Sequence, residues 1–208
     1  MRKIIVSIFI VLTFLCSPAM SETAVDWFDK AGALWDGGNF TNQKKAIEYL
    51  NNAIRLKPDY AEAYYNRGNA YADLGQYPRA IEDYNETIRL KPDYASAYNN
   101  RGNSYKILGQ QQRSIEDYNQ AIRLKPDYAS AYNSRGLTYG ELGQYQQAIE
   151  DFNKVIYLKP DDASAYNGRG LAYLMQGNDK LGCRDALKAC ALGKCEVLEI
   201  AKGKGLCR

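Results

Sequence analysis

The sequence predicts an all-α fold, a solenoid of antiparallel helix pairs, and three observations carry the prediction. First, the segments AEAYYNRGNAYADLGQYPRAIEDYNETIRLKPDY from Ala61, ASAYNNRGNSYKILGQQQRSIEDYNQAIRLKPDY from Ala95 and ASAYNSRGLTYGELGQYQQAIEDFNKVIYLKPDD from Ala129 follow one another without a gap. Their common period, 34 residues, is the length at which two short helices and their turns make one unit. Second, apolar residues fall at helical spacing within a unit: Tyr98, Tyr105 and Leu108 on a first helix, Ile115, Tyr118 and Ile122 on a second. Third, Gly109 separates the two helices and Pro126 ends the second. Glycine accepts the left-handed geometry that follows a helix, and proline cannot continue one.

Taken in order, the chain opens with Met1, Arg2 and Lys3, followed by an apolar run from Ile4 to Cys16. A charged start and about a dozen apolar residues fit a secretory signal, whereas a membrane span needs roughly 20. Ala19 and Ser21 stand at the −3 and −1 places of a cut before Glu22. Residues 1–21 are therefore expected to be a signal peptide, with an uncleaved anchor as the alternative. Leu15 before Cys16 argues against lipid attachment, which needs a small residue there. The mature chain is expected to be exported, periplasmic or secreted, and to meet the membrane only through this segment before cleavage.

Residues 22–60 read as an irregular first unit. Trp27, Ala31, Leu34 and Gly38 follow first-helix spacing, Ala46, Leu50, Ala53 and Pro58 follow the second, and about three extra residues near Thr41 to Gln43 lengthen the turn. Residues 61–94, 95–128 and 129–162 are the regular units. Residues 163–194 form a degenerate one: Tyr166, Gly170, Tyr173 and Gly177 begin it well, then Ala186 takes the aromatic place and Lys194 the proline place. Residues 195–208 hold a capping helix from Cys195 to Lys202, as expected where the last repeat meets water. Small residues recur on both helices, Gly68, Gly102, Gly136 and Gly170 on the first and Ala80, Ser114, Ala148 and Gly182 on the second, and are expected to face one another.

The order Tyr98, Gly102, Tyr105, Gly109, Ser114, Tyr118, Ala121, Pro126 resembles the tetratricopeptide repeat (TPR), with tyrosine where that family often has tryptophan. The resemblance covers essentially the whole mature chain and implies a right-handed superhelix whose concave face is lined by first helices. One departure is regular. The family usually has leucine before the first-helix glycine, and this chain has Arg67, Arg101, Arg135 and Arg169, with acids at Asp83, Asp117, Asp151 and Asp185 on the second helices. The two columns are expected to pair as an internal ladder, the alternative being a ligand-facing arginine column.

By the same resemblance, the groove-facing places hold Tyr65, Asn66, Asn69 and Asp73, then Asn99, Asn100, Asn103 and Lys106, then Asn133, Ser134, Leu137 and Glu141, then Asn167, Leu171 and Met175. An asparagine side chain both donates and accepts, so a face of asparagines can grip an extended backbone whatever its side chains. Tyr65, Asn66, Asn69, Asn99, Asn100, Asn103, Lys106, Asn133 and Asn167 are therefore the expected peptide-binding residues, with an apolar pocket at Leu137, Leu171 and Met175. An inert solvated face is the competing reading. The basic clamp with which some family members hold a terminal carboxylate is missing, since Asn99, Asn133, Ser134 and Gly168 stand in its places.

Of five cysteines, Cys16 leaves with the signal and four follow residue 180. An even cluster in an oxidising compartment reads as disulfides. Zinc is the rival reading, but the spacings lack close CxxC pairs. Cys183 and Cys190 on one helix stand roughly 10 Å apart, beyond the roughly 7 Å a bridge can span. An antiparallel cap would then join Cys190 to Cys195 and Cys183 to Cys207. The chain has 27 basic and 24 acidic residues. Loss of Arg2 and Lys3 leaves 25 against 24, a net charge of +1, so no nucleic-acid partner is expected. Histidine is absent, and the sequence has no phosphate loop, nucleophile elbow or metal cluster. The expectation is a non-enzymatic scaffold without cofactor, metal or small-molecule substrate, binding a protein or extended peptide. The alternative is an accessory subunit of an envelope enzyme or secretion complex.

Overall fold

In the regular units the glycine between the helices and the proline after them act as the sequence requires. The first helix of the second unit, α3 (Ala61–Asp73), ends at Gly75, whose φ of 71° lets its own N–H reach the Ala72 carbonyl at 2.9 Å and the Gln76 N–H reach Tyr71 at 2.8 Å. This pair of bonds closes the helix C-terminus. One residue, Gln76, separates that glycine from the next helix, and this short turn lets the two helices pack antiparallel. The same turn recurs, giving α4 (Tyr77–Leu90), α5 (Ala95–Ile107), α6 (Gln111–Leu124), α7 (Ala129–Glu141), α8 (Tyr145–Leu158), α9 (Ala163–Met175) and α10 (Asp179–Ala191). Before them stand α1 (Ala24–Gly32) and α2 (Gln43–Leu56), and after them α11 (Glu196–Gly203). The molecule is thus the expected all-α solenoid of helix pairs. This computed structural model describes residues 22–207, so the expected signal peptide at 1–21 lies outside the described residues.

The core is narrow because the helices are close. Ala63, Ala97, Ala131 and Ala165 on first helices and Ala80 and Ala148 on second helices are fully buried. The groups facing the first-helix glycines match expectation in part: a Cβ on Gly102 would meet the Ser114 carbonyl at 3.1 Å, but an aromatic ring also lies against three of these glycines. A Cβ on Gly68 would stand 2.8 Å from the Tyr84 ring, and one on Gly102 would stand 2.8 Å from the Tyr118 ring. Gly136 likewise lies under Phe152. In these three units the glycine clears a buried aromatic one helical turn beyond Ala80, Ser114 or Ala148. Where Ala186 replaces the aromatic, Gly170 does pack on the Gly182 backbone, as expected from the sequence. The rings Tyr84, Tyr118 and Phe152 are among the largest fully buried side chains, so they carry much of the apolar burial that holds each pair.

The first unit departs from its expected form. Helix α1 stops at Gly32, and Leu34 and Gly38, which keep helical spacing in the sequence, lie beyond it. A two-stranded hairpin follows, β1 (Trp35–Asp36) against β2 (Asn39–Phe40), in register Trp35 with Phe40. Gly37 and Gly38 both have positive φ, 57° and 107°, the conformation a two-residue hairpin turn demands and a helix cannot use. Phe40 turns inward and is 2% exposed, joining Ala31, Ala46 and Leu50 in the first core cluster. At the other end α11 packs on α9 and α10. The sulfurs of Cys183 and Cys207 lie at disulfide distance, as do those of Cys190 and Cys195, with Cα separations of 5.4 and 4.0 Å.

Candidate functional site

The arginine column lies inside the molecule. Arg101 donates from Nε to Asp117 Oδ2 at 2.8 Å and from Nη2 to Oδ1 at 2.6 Å, while Nη1 reaches back to Asn85 Oδ1 at 2.7 Å. Arg67 makes the same set with Asp83 and Asn51, Arg135 with Asp151 and Asn119, and Arg169 with Asp185 and Asn153. Each guanidinium therefore ties three helices: its own, the second helix of its unit and the second helix of the unit before. Burial holds the carboxyls of Asp83, Asp117 and Asp151 above the usual carboxylate range, although the paired arginine pulls them down. The bonds to aspartate in turn keep Arg67, Arg101 and Arg135 above their ordinary value against that same burial. Each arginine commits Nε, Nη1 and Nη2 to internal acceptors, which supports the structural reading of the column. The asparagine column 51, 85, 119, 153 was not anticipated, although it repeats at the period of the arginines.

On the concave side the structure sorts the expected binding residues into two groups. Asn69 is 6% exposed, and its Oδ1 accepts from the Tyr84 hydroxyl at 2.8 Å and from Asn100 Nδ2 at 2.9 Å. Asn100 Nδ2 also donates to the Tyr65 oxygen at 3.0 Å, and Asn103 Oδ1 accepts from Tyr118 at 2.8 Å. Burial pushes the Tyr65 hydroxyl up to about 12, so it stays neutral. Lys106 pairs with Glu141 across to the next first helix at 2.9 Å. Asn66 is half-buried. Tyr65, Asn69, Asn100 and Asn103 line an opening on this face, whereas Asn66 and Lys106 line none of the three described below, and Asn69, Asn100 and Asn103 also hold the aromatic core in place.

The second group occupies one repeat place. Asn99 is 4% exposed and donates to Asn100 at 3.1 Å, yet its Oδ1 has no partner, and the Asn133 Oδ1 is likewise unpartnered. In the last unit the equivalent Asn167 is satisfied: its Oδ1 accepts the backbone N–H of Val197 on α11 at 3.4 Å and its Nδ2 approaches Glu196 at 3.5 Å. A buried amide oxygen left without a donor costs free energy comparable to a lost hydrogen bond.

Three openings follow one another along this face. At the N-terminal end a cavity of about 670 Å³ is lined by Trp35, Tyr65, Asp73, Tyr77, Asn100 and Asn103, among others. A polar one of about 230 Å³ lies between Asn99 and Asn133 and reaches Ser130, Ser164 and Lys159. The third, about 350 Å³, is lined by Leu137, Leu171 and Met175 together with the Phe152 ring, against which Gly136 and Gly168 pack closely. Trp35 and Tyr77 were not anticipated in the groove. The Gly37 and Gly38 doublet was the signal, because it marks a hairpin that can carry Trp35 there. Among the described residues no group of histidine, cysteine, aspartate and glutamate is placed to hold a metal, and no helix is long and apolar enough to cross a membrane.

Comparison with known proteins fits this geometry. The TPR repeat model matches residues 42–75, 68–109, 102–143 and 138–177. Over 40 residues the chain is 45% identical to the uncharacterised protein MJ0572 of Methanocaldococcus jannaschii, a match that takes in 19% of this chain and 46% of that one, so the chain spans about half the length of this curated relative. Among solved structures, the MamA protein superposes with a TM-score of 0.72 at 29% identity, covering 89% of this chain and 96% of that one. YrrB, described as a TPR protein with an unusual peptide-binding site, superposes with a TM-score of 0.70 at 20% identity over 87% of this chain and 92% of its own, a likeness of fold. With its repeats matched without a break from residue 42 to residue 177 and packed as successive helix pairs, the chain belongs to the tetratricopeptide-repeat family.

Proposed function

We propose that the protein is a non-enzymatic scaffold that holds an extended stretch of a partner polypeptide along its concave face. The carrying observation is the contrast within one repeat place: Asn167 accepts a backbone N–H from the chain's own cap, while the Asn99 and Asn133 oxygens, buried in residues that line the polar opening, have no donor. A bound strand that drew these two amides toward the opening would supply the donors from its own backbone, so recognition would need few particular side chains. The fold likeness to a TPR protein with a peptide-binding site supports the reading. Asn66, Asn100, Asn103 and Lys106 would border the strand, and the opening at Leu137, Leu171 and Met175 would take an apolar side chain. The test is a library of capped extended peptides screened against residues 22–208. Asn99→Ala with Asn133→Ala should weaken selected peptides about tenfold, the loss of two modest hydrogen bonds. Unchanged affinity would move the site off this face.

The protein is further proposed to work in an oxidising compartment outside the cytoplasm after removal of residues 1–21. The two cysteine pairs at disulfide distance support this. Alkylation of unreduced protein taken from cells should leave Cys183, Cys190, Cys195 and Cys207 unlabelled, and free thiols at these places would refute export as the working state.

A further inference from the structure

At the N-terminal end of the groove one cavity is lined by an acid without a countercharge and by two aromatic side chains without a cation. Asp73, at the end of α3, accepts the Phe40 N–H at 3.3 Å, and the Asn39 amide, with its nitrogen turned inward, donates to the other oxygen at 3.2 Å. Both donors are neutral, and Asp73 takes part in none of the ion pairs among the described residues. Burial holds its carboxyl above the usual range. Trp35 is 43% exposed and is braced edge-on against Phe40, with ring centroids 4.8 Å apart. Tyr77 lines the same cavity. Several other aromatic faces are covered by the molecule's own cations, Lys57 on Tyr60, Lys91 on Tyr94, Lys125 on Tyr128 and Lys154 on Tyr157. Trp35 and Tyr77 have no such cover among the described residues.

We infer that this end of the groove is a receptor for one long cationic side chain, arginine or lysine, of the bound polypeptide. The ring faces of Trp35 and Tyr77 would receive the charge and Asp73 would neutralise it. The inference rests on the reading of the groove as a peptide site, because Asn100 and Asn103 line the same cavity and would hold the strand that carries the side chain. A cationic anchor at one end and the apolar opening at the other would give a backbone-reading groove a direction, which the asparagines alone do not supply.

The chain has two tryptophans, so the indole N–H resonances of Trp35 and Trp27 report the site directly. The probes are a capped glycine–serine peptide with one central arginine, the same peptide with lysine, and the same peptide with citrulline, which keeps the shape of arginine without its charge. The expected result is a shift of the Trp35 resonance with arginine or lysine, binding about tenfold tighter than for citrulline, and loss of that preference in Asp73→Asn. Equal responses to charged and citrulline peptides, or a Trp35 resonance that moves with none of them, would overturn the inference, and both outcomes are read on the unaltered protein. A charge preference that persists in Asn99→Ala with Asn133→Ala would keep the cationic site even if the strand-binding role of those asparagines failed.

Discussion

Two columns of asparagine run through this molecule in opposite states. Asn51, Asn85, Asn119 and Asn153 on second helices each accept from the arginine of the next unit, and that arginine holds an aspartate by two further bonds. Asn99 and Asn133 on first helices present oxygens to which nothing donates. Both columns are built by the same repetition of sequence and lie on the same helical framework. The first has a partner at every rung, and the second has one only where α11 follows Asn167. On the proposed reading, the contrast separates holding the solenoid together from holding a partner. It also shows that a repeated polar residue reveals its role by whether the repeat supplies its partner.

The largest expected effect breaks the ladder. Asp117→Ala would leave the Arg101 head without its carboxylate in a site where that head is 19% exposed. The cost should be about 3 kcal/mol, the low end for an orphaned buried charge because part of the guanidinium still reaches water. A fall in urea midpoint on equilibrium unfolding reads it, and a change under about 1 kcal/mol would show that the pair is dispensable. Asn119→Ala removes only the outer acceptor of Arg135, whose Nη1 can turn to solvent, so about 1 kcal/mol is expected from the same measurement. The asparagine column would then rank below the aspartates while remaining structural.

Acid should have a smaller effect, of a sign opposite to the usual one. The carboxyls of Asp83, Asp117 and Asp151 sit above their unfolded value of 3.8, with burial the largest cause. Between that value and the raised folded one, the folded chain binds protons that the unfolded chain does not. Stability from these groups therefore rises as pH falls through the window and declines as pH rises through it. Unfolding midpoints taken from about pH 7 to about pH 4 should show no acid loss attributable to the ladder. An acid-induced drop that disappears when Arg101 and Asp117 are both replaced by leucine would mean that the ion pair outweighs its burial.

The sequence was legible where each unit answers itself. The 34-residue spacing, the hairpin turns at Gly75, Gly109, Gly143 and Gly177, and the pairing of Arg67, Arg101, Arg135 and Arg169 with acids sixteen residues on follow from columns that recur together. The cysteine pairs at disulfide distance are those an antiparallel cap brings together. What escaped depended on reach between helices. Tyr84 extends to Asn69, so a place expected to face a ligand also serves a ring. The glycines clear those rings because the aromatic lies one turn beyond the small residue expected opposite them. In the first unit, Leu34 and Gly38 keep helical spacing by coincidence of position, and the adjacent Gly37 turns the chain into a hairpin that brings Trp35 to the groove.

The smallest expected change in stability is the most discriminating. Asn133→Ala removes an amide whose oxygen is paid for by no donor, so the folded state loses a desolvated acceptor and gives up little in return. Its unfolding midpoint should move by less than about 0.5 kcal/mol, and any movement toward greater stability would be in the expected direction. Asn119→Ala is the matched control, with the same residue type and the same truncation at a rung that is satisfied. If both changes cost the same, the open oxygen at Asn133 is engaged by structural water, and the groove is as settled as the ladder. If Asn119→Ala destabilises while Asn133→Ala does not, the cost of keeping Asn133 unpartnered is borne by the free protein and recovered only when a strand is bound, as expected for a site shaped for its ligand rather than for the fold.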